Sequence, residues 1–209
     1  MAFSSPQDGV TAELHPWRTI WTHPRQTVAA MTVYAPWRWL WLLILAGGTS
    51  RIVERIALLP SLVELEPEAL TLLILVSGAL AGALMVFVIA RILHWVLRRI
   101  GGVGSWTATR TAVAWALAPG IPSLALWAIM VTGYGYSALT PSLISGSDDP
   151  RALVLTVDYG VQFGLTVWSL LIEILCLSDA HRLAVWKVIA AEAGLGLAIG
   201  SLTLIGFNL

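Results

Sequence analysis

Apolar residues fall in five long blocks separated by short polar breaks. The blocks run roughly from Trp37 to Leu59, Leu70 to Leu97, Ala108 to Tyr134, Arg151 to Leu177 and Leu183 to Phe207. Each supplies the ~20 mostly apolar residues that a helix needs to cross the hydrocarbon core of a bilayer. The pattern predicts an all-α fold, a polytopic membrane bundle of five transmembrane helices. No break is long enough to fold alone, so residues 36–209 read as one transmembrane domain. Residues 1–35 read as a cytoplasmic N-terminal tail. Within it, PRQTVAAMTVY places Val28, Met31 and Tyr34 at helical spacing, with Arg25 and Gln26 opposite. That spacing predicts a short amphipathic helix lying on the inner membrane surface, with Trp17 and Trp21 at the interface. A plain juxtamembrane linker is the alternative.

Composition narrows the class. Hydrophobic residues make up 57% of the chain and charged residues only 11%, against about 25% charged in an average soluble domain. Net charge is zero, so nothing points to nucleic acid as a partner. Cys176 is the only cysteine, which excludes an intrachain disulfide and a multi-cysteine metal site. The first 35 residues hold no apolar run of the kind a cleavable signal peptide needs. The first block is therefore expected to be a retained span. Eleven arginines against one lysine, Lys187, fit a GC-rich bacterial genome.

Charge also orients the chain. With the N-terminus inside, the inner segments carry Arg18, Arg25, Arg38, Arg91, Arg98, Arg99, Arg110, Arg182 and Lys187, and the outer ones carry Arg51, Arg55 and Arg151. Basic residues accumulate on the cytoplasmic side. The expected placement is an inner membrane, N-terminus cytoplasmic and C-terminus periplasmic. The short outer loops, ELEPE from Glu64 and SGSDDP from Ser145, are acidic.

The candidate chemistry is sparse. GGVGSW, Gly101 to Trp106, lacks the lysine and preceding strand of a phosphate loop and reads as a tight turn. In SDAHR, adjacency does not make a catalytic triad, and Ser178 or Asp179 is expected to cap the fifth span. His15, His23, His94 and His181 form no metal-binding pattern. No catalytic residue, cofactor site or metal site is expected. Charges inside the spans are the strongest signal, because they are costly in lipid. Depth suggests Arg51 or Arg55 with Asp158 towards the outside, and Arg91 or His94 with Glu173 or Glu192 towards the inside. Such pairs lock a bundle or, on the sharper reading, carry ions. Gly78 with Gly82 and Gly196 with Gly200 are spaced for close helix contact. Pro119 and Pro122 should kink the third span.

Three stretches in this order resemble the Yip domain family of integral membrane proteins, in its bacterial branch. They are TIWTHPRQTVAAM before the first span, RRIGGVGSWTATRTAVAWALAP running into a span with a central proline, and LSDAHRLAVWKVIAAE leading into the last. The resemblance runs from about Trp17 to Phe207. It implies a five-helix membrane protein acting as an adaptor or scaffold; a membrane-embedded enzyme is disfavoured because no nucleophile–base pair or metal pattern appears. Eukaryotic members carry a long cytoplasmic N-terminal region with an acidic, proline-containing motif linked to Rab-type GTPase binding. The present N-terminal stretch lacks that motif, so GTPase binding is not carried over. The expected partners are the lipid bilayer and another membrane protein or a second copy. A small transporter or channel subunit using the intramembrane charges is the alternative function.

Overall fold

The computed structural model describes residues 15–35, 37–56, 59–139 and 150–207. Among these the regular structure is helical throughout. Two short helices, α1 (Pro16–Thr19) and α2 (Pro24–Tyr34), each open on proline, whose fixed φ suits a first helical turn. The Thr27 hydroxyl donates to that of Thr19 at 2.8 Å and ties them together. The helical spacing of Val28 and Met31 is realised, but their face does not lie on lipid. Thr27, Val28 and Met31 are buried where α2 docks on α6 and α8. Trp17 sits 5.1 Å from the ring of Trp115, and Ile20 is fully buried. Tyr34 stays exposed. The expected surface helix is thus an element of the bundle, because apolar side chains on α6 and α8 meet its apolar stripe first.

Next come α3 (Leu40–Ile56), a 3₁₀ turn at Pro60–Glu64, and α4 (Pro67–Ala83). A π-helical segment, Leu84–Ile89, joins α4 to α5 (Ala90–Arg99), so one helical rod of 33 residues runs from Pro67 to Arg99. Helices α6 (Trp106–Ala116) and α7 (Gly120–Tyr134) form a second rod, broken at residues 117–119. The break follows from Pro119 and Pro122, which lack the N–H of a continuous helix. One carbonyl left over at the break, that of Ala116, accepts a hydrogen bond from the Ser169 hydroxyl on α8. This is how a membrane bundle tolerates a broken helix.

The last two helices are α8 (Pro150–His181) and α9 (Val185–Phe207). Helix α8 extends past Leu177 through the whole of SDAH. Ser178 and Asp179 therefore do not cap α9. The Ser178 hydroxyl instead donates to the Leu183 carbonyl at 2.7 Å and holds the turn closed. The outer SGSDDP stretch lies outside the described residues except for Pro150, the first residue of α8.

Helix α3 runs antiparallel along α4, with Gly48 and Thr49 against Gly78 and Gly82. The other face of α3 meets α7, while α6 packs on α8 and α9 closes against α5 and α8. Large apolar side chains remain exposed on the outside, including Leu72, Val76 and Leu80 on α4, Phe163 and Leu170 on α8, and Leu197 on α9. Apolar surface on that scale suits contact with a membrane. Among the described residues, three helical stretches are long and apolar enough to cross one, namely Pro67–Arg99, Trp106–Tyr134 and Ala152–His181. Helix α3, with 17 residues, is about 25 Å long.

Candidate functional site

The polar residues of α8 fall on one stripe. Asp158, Gln162, Thr166, Ser169 and Glu173 follow one another at intervals of three or four, which puts them on one face of a helix. Around that face, α3 and the α6–α7 break supply partners. Ser123 donates to the Gln162 side-chain oxygen at 2.5 Å, and the Gln162 amide donates to the Ser123 carbonyl at 3.2 Å. The Ser50 hydroxyl lies 2.8 Å from that of Ser123. Two turns further along α8, Arg51 donates to Ser169 at 2.9 Å, and it pairs with Glu54 at 3.4 Å. Thr166 donates to the other Glu54 oxygen at 3.3 Å.

Ser50, Ser123, Gln162 and Ser169 are almost wholly buried. Buried polar groups of this kind stabilise only when partnered, and here each partner lies on a different helix. The result is a polar seam through an apolar bundle. The space it borders with Arg51, Glu54, Pro119 and Thr166 is partly open and measures about 10 Å³. That is the lower limit for a single water.

The seam redistributes the charges singled out in the sequence. Arg51 does not reach Asp158. It engages Glu54 and Ser169, and Ser169 lies 11 residues along α8 from Asp158, a rise of about 16 Å. Arg55 is exposed on the outside of α3. Asp158 is buried beside Gln162, with one carboxylate oxygen lacking a protein partner. Arg91 does not pair with a carboxylate either, and its guanidinium lies 5.1 Å from the centre of the Trp106 ring. Among the described residues the one ion pair is Arg51–Glu54. Glu173 faces Arg51 and Glu192 electrostatically, and Glu192 keeps one buried oxygen without a hydrogen bond. Among the described residues neither Arg91 nor His94 forms an ion pair with Glu173 or Glu192; His94 meets His181, and Glu173 lies eight residues back along α8, about 12 Å away.

The glycines divide in two. Gly78 and Gly82 are buried at the α3–α4 contact, where Cβ atoms would strike the backbone of Thr49 and Ile44. Cβ atoms built at Gly196 and Gly200 would meet no atom within 4 Å among the described residues, unlike those at Gly78 and Gly82.

A second cluster was invisible in the sequence. His94 on α5 and His181 at the end of α8 converge on Thr109 of α6. The Thr109 hydroxyl lies 2.9 Å from His94 Nδ1 and 2.8 Å from His181 Nε2. It also lies 3.1 Å from the Ser105 carbonyl. One hydroxyl carries one proton, so at least one imidazole must donate to it. The GGVGSW turn closes over this cluster. Gly101 takes φ of 99°, a left-handed conformation natural to glycine, and Cβ atoms at Gly102 and Gly104 would collide with the His181 ring. Val103 N–H donates to the His181 carbonyl at 3.1 Å, and Ser105 caps α6. The available clue was the pair of glycines beside a basic turn, facing a histidine at the far end of another span.

Thr109→Val is expected to lower stability by about 1–3 kcal/mol, because it keeps shape but strands the buried Nε2 of His181 and removes the partner of the half-buried His94. Thermal melting in mild detergent measures this, and Thr109→Ser should restore most of the loss.

The family model of the Yip1 domain matches residues 17–207. Neither the curated proteins nor the solved structures include a match to the chain. The match takes in α1 and α2 as well as the long helices, in keeping with their burial against α6 and α8. With apolar helices long enough to cross a membrane and a family match over nearly its whole length, this chain belongs to the Yip1 domain family of integral membrane proteins.

Proposed function

We propose that the protein is a non-enzymatic adaptor or scaffold of a bacterial inner membrane. It crosses the bilayer five times, with its N-terminus in the cytoplasm and its C-terminus in the periplasm. The two additional spans are α3 and α9. Support for α3 is its antiparallel course along α4, from Ile44 beside Gly82 to Thr49 beside Gly78. Support for α9 is its length of 23 residues and its apolar surface, and the basic residues support the orientation. Reporter fusions should give periplasmic activity at Leu209 and after Ser145, and cytoplasmic signal at Gly102. A cytoplasmic reading at Leu209 would remove the five-span arrangement.

The observation that carries the scaffold reading is the pairing of the seam residues across helices. Ser50, Arg51, Ser123, Gln162 and Ser169 are spent on one another across α3, α7 and α8, and the space beside them is about 10 Å³. A conduit for ions needs a hydrated path, whereas a lock needs paired groups in a dry interior. Reconstituted liposomes should therefore show no proton or ion flux above that of protein-free vesicles, and capture in mild detergent should retain a defined membrane partner. Flux that disappears in Arg51→Gln or Asp158→Asn would replace the scaffold with a transporter.

A further inference from the structure

Where α1 meets the start of α3, His15, Pro16, Trp17, Arg18, Arg38 and Trp39 line an open cavity of about 410 Å³. One wall is rigid. Trp17 meets Trp39 edge-on at 5.6 Å and leans on Trp115, which is buried in the core. Trp39 has φ of 66°, a left-handed conformation that costs a non-glycine residue about 1–2 kcal/mol. That backbone brings its ring to Trp17 and to the Arg38 guanidinium, 5.5 Å from the ring centre.

The rim is cationic. Arg18 and Arg38 are both exposed, and neither forms an ion pair with a described residue. His15 adds a third nitrogen donor, and among the described residues no carboxylate lines the cavity. The chain as a whole carries no net charge, so this is a local concentration of positive charge. Just beyond it on α3, Trp41, Leu42 and Leu45 expose 63%, 43% and 50% of their surface. The cavity thus joins two unpaired guanidiniums to an apolar stripe running into the membrane-facing surface. Guanidinium groups recognise phosphate oxygens through paired N–H donors, and tryptophan favours the interface between headgroups and acyl chains.

We propose that this cavity binds the phosphate headgroup of an anionic phospholipid. Arg18 and Arg38 clamp the phosphate, Trp39 walls the headgroup, and Trp41, Leu42 and Leu45 run beside the acyl chains. The site adds a defined lipid ligand to a protein otherwise only embedded in lipid, and it does not depend on the scaffold reading.

The test uses the full chain in neutral detergent and reads tryptophan fluorescence during titration with dihexanoyl phosphatidylglycerol. Saturable binding is expected, with dihexanoyl phosphatidylcholine much weaker. Each arginine near an anionic headgroup contributes about a fivefold preference. Arg18→Gln and Arg38→Gln should each weaken binding about fivefold, and together about thirtyfold. Both residues are exposed, and melting curves of the single variants should match the parent protein. Arg91→Gln with Arg99→Gln removes two charges elsewhere and should leave affinity within about twofold, that sequence-independent surface attraction being screened. Equal weakening by both double variants would reduce the site to diffuse surface charge and overturn the proposal. So would phosphatidylcholine binding as tightly as phosphatidylglycerol. Inorganic phosphate binding as tightly as the lipid would make the ligand a free phosphate compound and overturn the lipid assignment.

Discussion

Gly48→Val is expected to leave little folded protein to purify. Gly48 faces the backbone of α4, and any Cβ there would fall onto the Gly78 carbonyl oxygen and within 2.6 Å of the Gly82 nitrogen. The obstacle is main chain, so no side chain can swing aside. The approach is mutual, since a Cβ at Gly82 would strike the Ile44 carbonyl and one at Gly78 would lie 2.5 Å from the Thr49 Cα. Relief requires α3 and α4 to part along their contact. Overpacking a core costs about 1–3 kcal/mol when side chains can adjust, and more is expected where two helix backbones must separate. Total stability is commonly about 5–15 kcal/mol, so a loss of this size consumes much of it. Yield of monodisperse protein and melting temperature in detergent measure the effect, with Gly48→Ala intermediate. Gly194→Val on α9 is the control, because a Cβ there meets nothing within 4 Å. Equal melting of Gly48→Val and Gly194→Val would refute the α3–α4 contact.

Gln162→Leu is expected to cost about 2–4 kcal/mol, as more than one buried group loses its partner. The Gln162 side chain is 4% exposed, makes two hydrogen bonds to Ser123 and also lies beside the Asp158 carboxylate. Leucine fills similar volume but strands the Ser123 carbonyl and weakens the Ser50–Ser123 link next to it. The informative variant is Gln162→Leu combined with Ser123→Ala. Removing both partners of a buried hydrogen bond costs less than removing one, so the double variant should melt above the value expected from adding the single losses. Strict additivity would show that Gln162 and Ser123 act independently and that the seam is not a network.

The helical blocks were legible because each depends on residues close in the chain. The interruption after Ala116 was readable from Pro119 and Pro122, since proline acts on its own turn. The close approach at Gly78 and Gly82 was legible as spacing, although its partners, Gly48 and Thr49, were not. Polar seam residues were harder. Ser123, Gln162 and Ser169 are uncharged and gave no cost signal of the kind that marks Arg51 or Asp158. The charged residues drew attention through depth alone, and depth does not say which way a side chain faces. Two arginines at plausible depths met tryptophan or serine instead of the expected carboxylates.

By itself the sequence determined that the chain is helical and strongly apolar, and that its stretches follow the Yip1 domain order from Trp17 onward. Only the tertiary structure decided that α2 belongs to the bundle, that Arg51 bonds to Ser169 across 118 residues, and that His94 meets His181 through Thr109. The reason is the solvent. In water, an apolar stripe tells a helix which side to bury. In a bilayer, lipid and protein interior are both apolar, so hydropathy marks the length of a span but hardly its rotation. Helices such as α4 and α9 are apolar on nearly every side. Their facing is set by where glycines permit backbone approach and where polar groups find partners, and both are settled only when the helices come together.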